Sequence, residues 1–352
     1  MFKAKSKNLA VSAVSGDEVY VGLDVHVDSI HVAVWKNGGH VASWVRSGDC
    51  GKLADQLEPL RPGLKQVVYE AGPTGFALAR LLQSRKMPVI VCAPSRMPRT
   101  AVAGAKTDRL DAIKLAEYAA KGMLAGVTVP TEEEERERAL VRHRNDTVRR
   151  AATVKVRIKS VLRYHGLGKI KSWTAAERER LFGMELPSEI RFILEELFEE
   201  LDSREDAKKR AEAKLREALA SAKRAEAAKR LQTHPGVGPV VSACFIFELF
   251  RPERFGSGAA VARYAGLAPG VHQTGASCRG GPLMKAGQGK LRSLLVEAAW
   301  AWRRRDGKAR AVYERLLRNT GNAKKAIVGL ARRLLIRMWS MSVHGKEYAP
   351  AA

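Results

Sequence analysis

The sequence predicts an α/β first domain with a mixed sheet, then a long helical middle region, then a mainly helical C-terminal domain. Three observations support this prediction. Strand-like runs alternate with helical stretches up to about residue 125, residues 131–231 are dense in Glu, Arg, Lys and Ala, and glycine-rich turns interrupt helices after residue 232. With 352 residues, 45% hydrophobic and 28% charged, the chain is long and apolar enough to bury a core, which excludes wholesale disorder.

Five strands are expected in the first domain, residues 17–130, behind a flexible N-terminus of residues 1–16. The expected strands are residues 18–24, 29–35, 40–45, 66–70 and 89–92. An Asn37-Gly38-Gly39 turn joins the second strand to the third. Helices are expected at 76–85 and, with Thr107 as N-cap, at 108–121. A hairpin meander followed by alternating helices and strands predicts a mixed sheet covered by helices.

The middle region, residues 131–231, is predicted to be a helical arm that Pro187 and the 166–168 glycines divide into at least two long helices. Two apolar stripes run along these helices. The first has helical spacing and comprises Thr147, Ala151, Val154, Ile158 and Val161. The second begins as a heptad at Leu194 and continues weakly to Ala222. Two alternatives follow from these narrow stripes: a solvated linker helix, or a coiled-coil or bundle interface with another protomer.

The C-terminal part divides into a glycine-rich domain, residues 232–300, and a basic helical tail, residues 301–352. The Pro235-Gly236-Val237-Gly238-Pro239 segment lies between helical stretches, as in a helix-hairpin-helix turn. Amides at such a helix N-terminus can hold a phosphate, so Gly236 and Gly238 are candidate nucleic-acid-binding residues. The alternative is a purely structural turn.

The charge balance indicates a polyanionic partner. The net charge is +25, from 62 Lys+Arg against 37 Asp+Glu, and the sequence pI is about 10.2. Nucleic acid is favoured over an anionic membrane, because the most apolar segment, 240–250, has about half the length of a membrane span and contains Glu248. The alternative is that this chain is one of the basic proteins that bind no specific partner. Four dispersed cysteines without a CxxC motif and no signal-peptide pattern predict a cytoplasmic protein without zinc or disulfides.

Four acids of the first domain form a candidate metal site. Asp24 and Glu70 end apolar strands, where an unpaired carboxylate is costly, and Asp108 and Asp111 share a helix face. Such a set suits hard divalent ions that clamp the oxygens of a phosphodiester. Any single one of these acids is more often a turn or cap residue. His26 is a potential metal or proton-transfer group, as is His31, although lone histidines more often serve surface or packing roles.

This arrangement resembles the ribonuclease H-like fold of Holliday-junction resolvases. With the rest of the chain it resembles the DEDD transposases of bacterial insertion sequences, the "one-ten" family. The matching stretches are 21–26, 68–75 and 106–112, which contain Asp24, Glu70, Asp108 and Asp111. In that family these acids bind Mg²⁺. The turn after Asp24 lacks the glycines of sugar kinases and actin-like ATPases, which argues against those folds.

The same resemblance extends to residues 264–292, with a Gly-Leu-x-Pro segment, a hydroxyl residue before glycine, a Lys-x-Gly and a Leu-Arg. It implies a serine nucleophile that forms a covalent phosphoester with DNA. Here Thr274 stands before the glycine and Ser277 follows three residues later, so either hydroxyl is a candidate, or this copy is impaired. The alternative is that both hydroxyls serve only as helix caps or phosphate ligands. The implied phosphate-neutralising cations are Arg279, Lys285 and Arg292.

The resemblance therefore implies a DNA transposase/recombinase with Mg²⁺ as cofactor, acting on the element ends and a target in the bacterial nucleoid. It also implies a guide RNA encoded by the element. The helical arm predicts a homo-oligomer, either dimer or tetramer, and the separation of the two half-sites in sequence favours a site assembled between protomers. Two rivals are a Mg²⁺-dependent Holliday-junction resolvase-like endonuclease and a non-catalytic nucleic-acid-binding protein. A nucleophilic Cys278 is disfavoured against a buried structural thiol.

Overall fold

The computed structural model describes residues 11–98, 107–274, 277–283 and 287–349. The chain divides into two compact units, Met1–Thr131 and Glu132–Ala352. The first unit is α/β and the second is mostly helical, which confirms the predicted change of character. Within the described residues, no helix combines the length and the apolar character needed to cross a bilayer.

The first unit is built on a five-stranded mixed sheet in the order β3-β2-β1-β4-β5. Strands β1, β2 and β3 pair antiparallel, whereas β4 pairs parallel to both β1 and β5. The strands are β1 Val19–Val25, β2 Ser29–Lys36, β3 Gly39–Ser47, β4 Leu64–Glu70 and β5 Val89–Cys92. The predicted mixed sheet is therefore confirmed, with each strand within two residues of its expected bounds.

The turn between β2 and β3 has the conformation that its sequence requires. Asn37 and Gly38 both have positive φ, 49° and 88°, as a tight hairpin needs. The Asn37 side chain accepts a hydrogen bond from the Glu18 backbone N–H and donates one to Asp17. The predicted asparagine–glycine turn thus also ties the start of β1 to the hairpin.

Helices cover both faces of this sheet and are α1 Cys50–Leu57, α2 Ala77–Ser84 and α3 Asp108–Ala120. Helices α1 and α2 pack with Val19, Val21 and Leu23 on one face. Helix α3 packs on the other face, where Leu115 joins Val68. The Thr107 hydroxyl accepts from the Leu110 amide, which confirms the predicted N-cap.

Helix α3 approaches β1 at Gly22 without an intervening side chain. A Cβ at Gly22 would lie 2.1 Å from the Ala112 carbonyl oxygen and 2.5 Å from the Ala116 nitrogen. Real Cβ atoms essentially never make such contacts, so only glycine permits this packing. The approach places the first turn of α3 over the end of β1.

The second unit contains nine described helices and one hairpin. The hairpin, which the sequence did not predict, consists of β6 Pro269–Thr274 and β7 Ser277–Leu283. The helices are α4 Glu132–Tyr164, α5 Ala175–Phe182, α6 Ser188–Leu219, α7 Ala225–Gln232, α8 Pro239–Leu249, α9 Gly258–Tyr264, α10 Gly289–Arg305, α11 Gly307–Thr320 and α12 Ala323–His344. The helical tail and the apolar helix at 240–250 agree with the sequence prediction. The finer division of this unit at residues 231 and 300 stays a prediction.

Helices α4 and α6 form an antiparallel helical hairpin, here called the arm. Their two predicted stripes face each other, since Ala151, Val154 and Ile158 share one core with Leu194 and Leu201. Ion pairs line the same seam, for example Arg144–Glu212 at 2.6 Å and Lys155–Glu205 at 2.6 Å. The two apolar stripes are therefore buried against each other within one chain. The sequence had left a solvated linker and an interface with another protomer as the alternatives for them.

Helix α8 lies at the centre of the second unit, and every residue from Ser242 to Leu249 is buried. Glu248 of this helix is only 3% exposed, and its carboxylate lies 3.6 Å from Arg138 Nε and 3.4 Å from Arg142 Nε. Both arginines belong to α4. The arm is thus joined to the core of its own unit by ion pairs to the buried Glu248.

Replacing Gly22 by alanine should destabilise the protein, because the new methyl group overlaps the backbone of α3. We expect a loss of about 1–3 kcal/mol in the free energy of unfolding, measured by urea denaturation. Gly39→Ala is the matched control, since a Cβ at Gly39 meets nothing within 4 Å. Equal stability of the two variants would contradict the close packing.

Candidate functional site

The predicted acids of the sheet lie at the carboxyl ends of two adjacent parallel strands. Strands β1 and β4 pair up to Leu23 and Tyr69, and Asp24 and Glu70 are the next residue on each strand. Asp24 alternates onto the face of Gly22, opposite to Val21 and Leu23 of the core. That face carries α3, so Asp24 and the start of α3 lie on the same side of the sheet.

Asp24, His26 and Asp108 form a cluster whose ligand atoms all lie within 4.8 Å of one another. His26 Nε2 is 3.3 Å from Asp24 Oδ2 and 3.7 Å from Asp108 Oδ2. His31 Nε2 lies 3.5 Å from the same Asp108 oxygen. The cluster is open to solvent, because the Asp108 side chain is 55% exposed and that of His26 is 52% exposed.

The four predicted acids are only partly gathered in this structure. Of the described residues, the tight group holds Asp24 and Asp108 but neither Glu70 nor Asp111. Asp111 lies one helical turn beyond Asp108. Glu70 pairs with Cys92 across β4 and β5, and burial together with the Glu70 charge raises the pKa of the Cys92 thiol to about 11.

Sequence reasoning undervalued the two histidines, although strand geometry contained the signal. His26 follows Asp24 by two residues, the spacing that returns a side chain to one face of a strand. His31 is the direct antiparallel partner of Asp24 in β2. Predicting the β1–β2 register would have placed both imidazoles beside the acid.

The turn that presents His26 is fixed by backbone contacts. The His26 amide donates to the Ser29 carbonyl at 2.9 Å, and the Gly48 amide donates to the Asp28 carbonyl at 3.0 Å. A Cβ at Gly48 would lie 1.9 Å from the Val27 carbonyl oxygen, so glycine is required there. The imidazole is therefore held by the sheet rather than by a free loop.

This donor set fits a divalent cation. Two carboxylates supply the oxygen ligands that Mg²⁺ and Mn²⁺ prefer, and an imidazole suits transition metals better than Mg²⁺. His26 can alternatively orient Asp24 through their hydrogen bond, as residues behind metal ligands commonly do. In both roles the cluster would hold a cation, and that cation would supply positive charge at the edge of the sheet.

The candidate nucleophiles lie at the end of the unpredicted hairpin. Thr274 pairs with Ser277 across β6 and β7, and His272 pairs with Arg279. The backbone of these strands is described, but Lys285 lies outside the described residues. The two hydroxyl residues between which the sequence could not choose are thus backbone partners.

Arg292 lies near the base of this hairpin. Its guanidinium, half-buried at the start of α10, donates to the Gly266 carbonyl at 3.1 Å. Gly287 has φ +100°, and a Cβ there would lie 2.6 Å from the Gly266 nitrogen. These contacts hold the Gly266 segment against the start of α10.

The two glycines of the predicted phosphate-binding turn differ in their surroundings. The Gly236 amide donates to His234 Nδ1, and a Cβ there would lie 2.7 Å from Trp302 Cβ, so this buried glycine serves close packing. Gly238 is exposed and is the N-cap of α8. Burial lowers the pKa of His234 to about 3, which keeps its imidazole neutral.

Comparison with known proteins identifies the family of this chain. A family model described as "Transposase" for DEDD elements of the IS110 type matches residues 21–166. A second model, described as "Transposase IS116/IS110/IS902 family", matches residues 228–314. The first match contains the cluster at Asp24, and the second contains the β6–β7 hairpin.

Individual relatives carry transposase names. A protein of Sinorhizobium fredii is 32% identical over 94% of this chain and 83% of its own length. Another from the same organism is 29% identical over 78% and 76%. The transposase for insertion sequence element IS1533 of Leptospira borgpetersenii is 27% identical over 81% and 86%. The chain therefore belongs to the IS110 family of insertion-sequence transposases, enzymes that act on DNA.

Proposed function

We propose that this transposase cuts and rejoins DNA with a divalent cation held at the end of β1 and a hydroxyl nucleophile from the β6–β7 hairpin. The observation that carries the proposal is the convergence of Asp24, His26 and Asp108 from a strand, a turn and a helix. Groups from three separate elements converge at one solvent-open point. If each acid served only as a turn or cap residue, no such convergence would be needed.

We propose a ribonuclease H-like fold for the first unit. The support is its strand order, β3-β2-β1-β4-β5, with three antiparallel strands followed by two parallel ones. The position of α3 across the face that carries Asp24 also agrees with this proposal. A resolvase-like fold would account for acids at adjacent strand ends.

The proposed cofactor is Mg²⁺, bound by Asp24 and Asp108 with Glu70 and Asp111 completing the set. When bound, it would polarise the scissile phosphate and neutralise charge that develops there. His26 is proposed to orient Asp24 through its 3.3 Å hydrogen bond. His31, beside Asp108, would restrain that carboxylate in the same way.

The proposed nucleophile is the hydroxyl of Thr274 or Ser277. Its oxygen would form a bond to the DNA phosphorus, the bond from phosphorus to the leaving deoxyribose oxygen would break, and the hydroxyl proton would pass to that oxygen. The resulting phosphoester conserves the energy of the broken bond, so a DNA hydroxyl can rejoin the strand by the reverse reaction. Arg279, Lys285 and Arg292 are proposed to offset phosphate charge, and Gly238 to bind backbone phosphate.

The proposed partners are the element ends, the target DNA and an RNA encoded by the element, with the nucleoid as the place of action. The support is the net charge of +25, which favours polyanion binding. DNA and RNA both present backbone phosphates to a basic protein, so the basic helices of this chain suit either nucleic acid.

A homo-oligomer, dimer or tetramer, is proposed to form through the arm as a coiled coil. Although the apolar seam of the arm is internal, large apolar side chains remain on its outside. Val156, Tyr164 and Phe192 are 65%, 85% and 61% exposed. Aromatic side chains such as Tyr164 and Phe192 are enriched at protein–protein interfaces.

Two rival functions make different chemical demands. A stand-alone resolvase-like nuclease would hydrolyse DNA at the same metal site without any hydroxyl nucleophile. A non-catalytic binder would need neither. The rivals and the transposase are separated by whether DNA cleavage occurs and whether it leaves protein attached to DNA.

Asp24→Asn should weaken binding of Mn²⁺, used as a spectroscopic substitute for Mg²⁺, by at least about tenfold, because one charged ligand is lost. DNA cleavage should fall with it, whereas DNA binding at low salt should persist. Metal affinity is measured by electron paramagnetic resonance. Asp28→Asn is the control, since this exposed acid of the same turn lies outside the cluster; equal metal affinity in both variants would exclude the proposed ligand.

Incubation with element-end DNA and Mg²⁺ should give a covalent protein–DNA adduct on a denaturing gel. We expect one of the variants Thr274→Ala and Ser277→Ala to abolish the adduct and the other to retain it. Cleavage without an adduct would favour the nuclease. Salt-sensitive binding without cleavage would favour the binder.

Phe192→Glu should dissociate the oligomer, because it replaces an exposed aromatic of the arm by a charge. A loss of about 2 kcal/mol in association free energy is expected for an interface centre, measured by light scattering against concentration. Ser203→Glu, which adds the same charge at an exposed site of α6, is the control. A wild-type protein that is monomeric at all concentrations would rule out the interface.

A further inference from the structure

A cavity of about 670 Å³ lies in the helical tail of the second unit. Its walls come from the end of α10, from α11, from α12 and from the segment after α12. The apolar lining includes Trp302, Val312, Leu316 and Ile336. The volume falls within the range of about 300–1,000 Å³ that is typical of sites for small organic groups.

The cavity is lined by cations. Lys308, Arg332, Arg333 and Arg337 contribute to its wall, and none of the described lining residues is Asp or Glu. Within the part of the chain that the structure describes, no ion pair joins Arg332, Arg333 or Arg337 to a carboxylate. This contrasts with the arm, where Arg144 and Lys155 are paired with acids. The lining therefore carries an excess of positive charge, which the Asp306 carboxylate behind Tyr348 offsets only in part.

The aromatic wall of the cavity is fixed by specific contacts. Gly345, with φ +65°, ends α12 in the left-handed conformation, and the chain then reverses. The Tyr348 amide donates to Thr233 Oγ1 at 2.9 Å, and its hydroxyl donates to the Asp306 carboxylate. Tyr348 is thus held as part of the wall rather than as a loose tail.

Arg337 is also held in place by this wall. Its guanidinium lies 5.2 Å from the centre of the Tyr348 ring and 5.6 Å from that of Trp302, within cation–π distance of both. The rings thus hold a cation without neutralising its charge, which leaves it available to a phosphate. Aromatic and apolar walls beside unpaired arginines are the combination that binds a base and its phosphate together.

We propose that this cavity receives one unstacked nucleotide of a single-stranded nucleic acid. The base enters the apolar space beside Tyr348, and the flanking phosphates contact Arg332, Arg333 and Arg337. A duplex cannot present a base in this way, so the site would bind a displaced DNA strand or an RNA loop. The inference rests on the proposed action on nucleic acid but concerns a site separate from the metal cluster.

The test uses the full-length protein and single-stranded 12-mers, DNA and RNA, that carry one 5-iodouracil for photochemical cross-linking. Wild type should give a cross-linked peptide that contains Tyr348 or Trp302, mapped by mass spectrometry. Ser340→Glu places a carboxylate in the lining, and repulsion of phosphate should lower this yield about tenfold. Whichever strand, DNA or RNA, gives the higher yield identifies the source of the nucleotide.

Matched variants separate the cavity from general basic attraction. Ser342→Glu adds the same charge two residues along α12, outside the lining, and should leave the yield unchanged. Arg333→Gln should make the salt dependence of single-strand binding shallower by about 0.7 in logarithmic slope, as loss of one phosphate contact predicts. Arg318→Gln, at an exposed site of α11 outside the lining, should leave the cavity cross-link intact.

An abasic 12-mer should compete poorly for the cross-link if the base itself is bound. Cross-links that map only outside the cavity, or equal loss in Ser340→Glu and Ser342→Glu, would overturn the proposal. Formation of the covalent DNA adduct is measured on the same preparations. An adduct without a cavity cross-link therefore rejects the nucleotide site while leaving the proposed transposase chemistry in place.

Discussion

The approach of α3 to β1 at Gly22 is the constraint on which the metal cluster depends. With a Cβ only 2.1 Å from the Ala112 oxygen, no other residue allows the helix to lie this close. The helix carries Asp108 in its first turn, and the strand carries Asp24 two residues after the glycine. Moving the helix outward by the width of a methyl group would separate Asp108 from Asp24 and His26, so backbone packing sets the geometry of the candidate chemistry.

Local sequence signals predicted the first unit well. The strand-like runs of β1 and β2, the turn at Asn37 and the cap at Thr107 each depend on residues a few positions apart, and each is confirmed. The sequence missed what depends on pairing across the fold. The place of His26 beside Asp108 follows from helix-to-strand packing, and the β6–β7 hairpin lies in a glycine-rich stretch whose strand propensity is weak. Likewise, the spacing of apolar residues predicted both stripes of the arm, but it did not predict that the two stripes would face each other.

The two units distribute polar groups by different rules. In the first, partly exposed acids and imidazoles meet at the edge of a sheet whose interior is apolar. In the second, a charge is buried at the centre, where Glu248 on the otherwise apolar α8 meets Arg138 and Arg142. Removing one partner of such a cluster would leave an uncompensated buried charge, which is far more costly than losing a surface ion pair. The cluster therefore fixes where α4 crosses α8.

That crossing has a mechanical consequence. From Arg142 to Tyr164, α4 continues for 22 residues as an unbroken helix, about 33 Å at 1.5 Å per residue. Along this length α6 packs against it, and at its root Arg138 and Arg142 join it to the buried Glu248. Such a rod acts as a lever: tilting it by about 10° at the root would displace its far end by about 6 Å, given that length. Small rearrangements around α8 would thus be amplified at Tyr164.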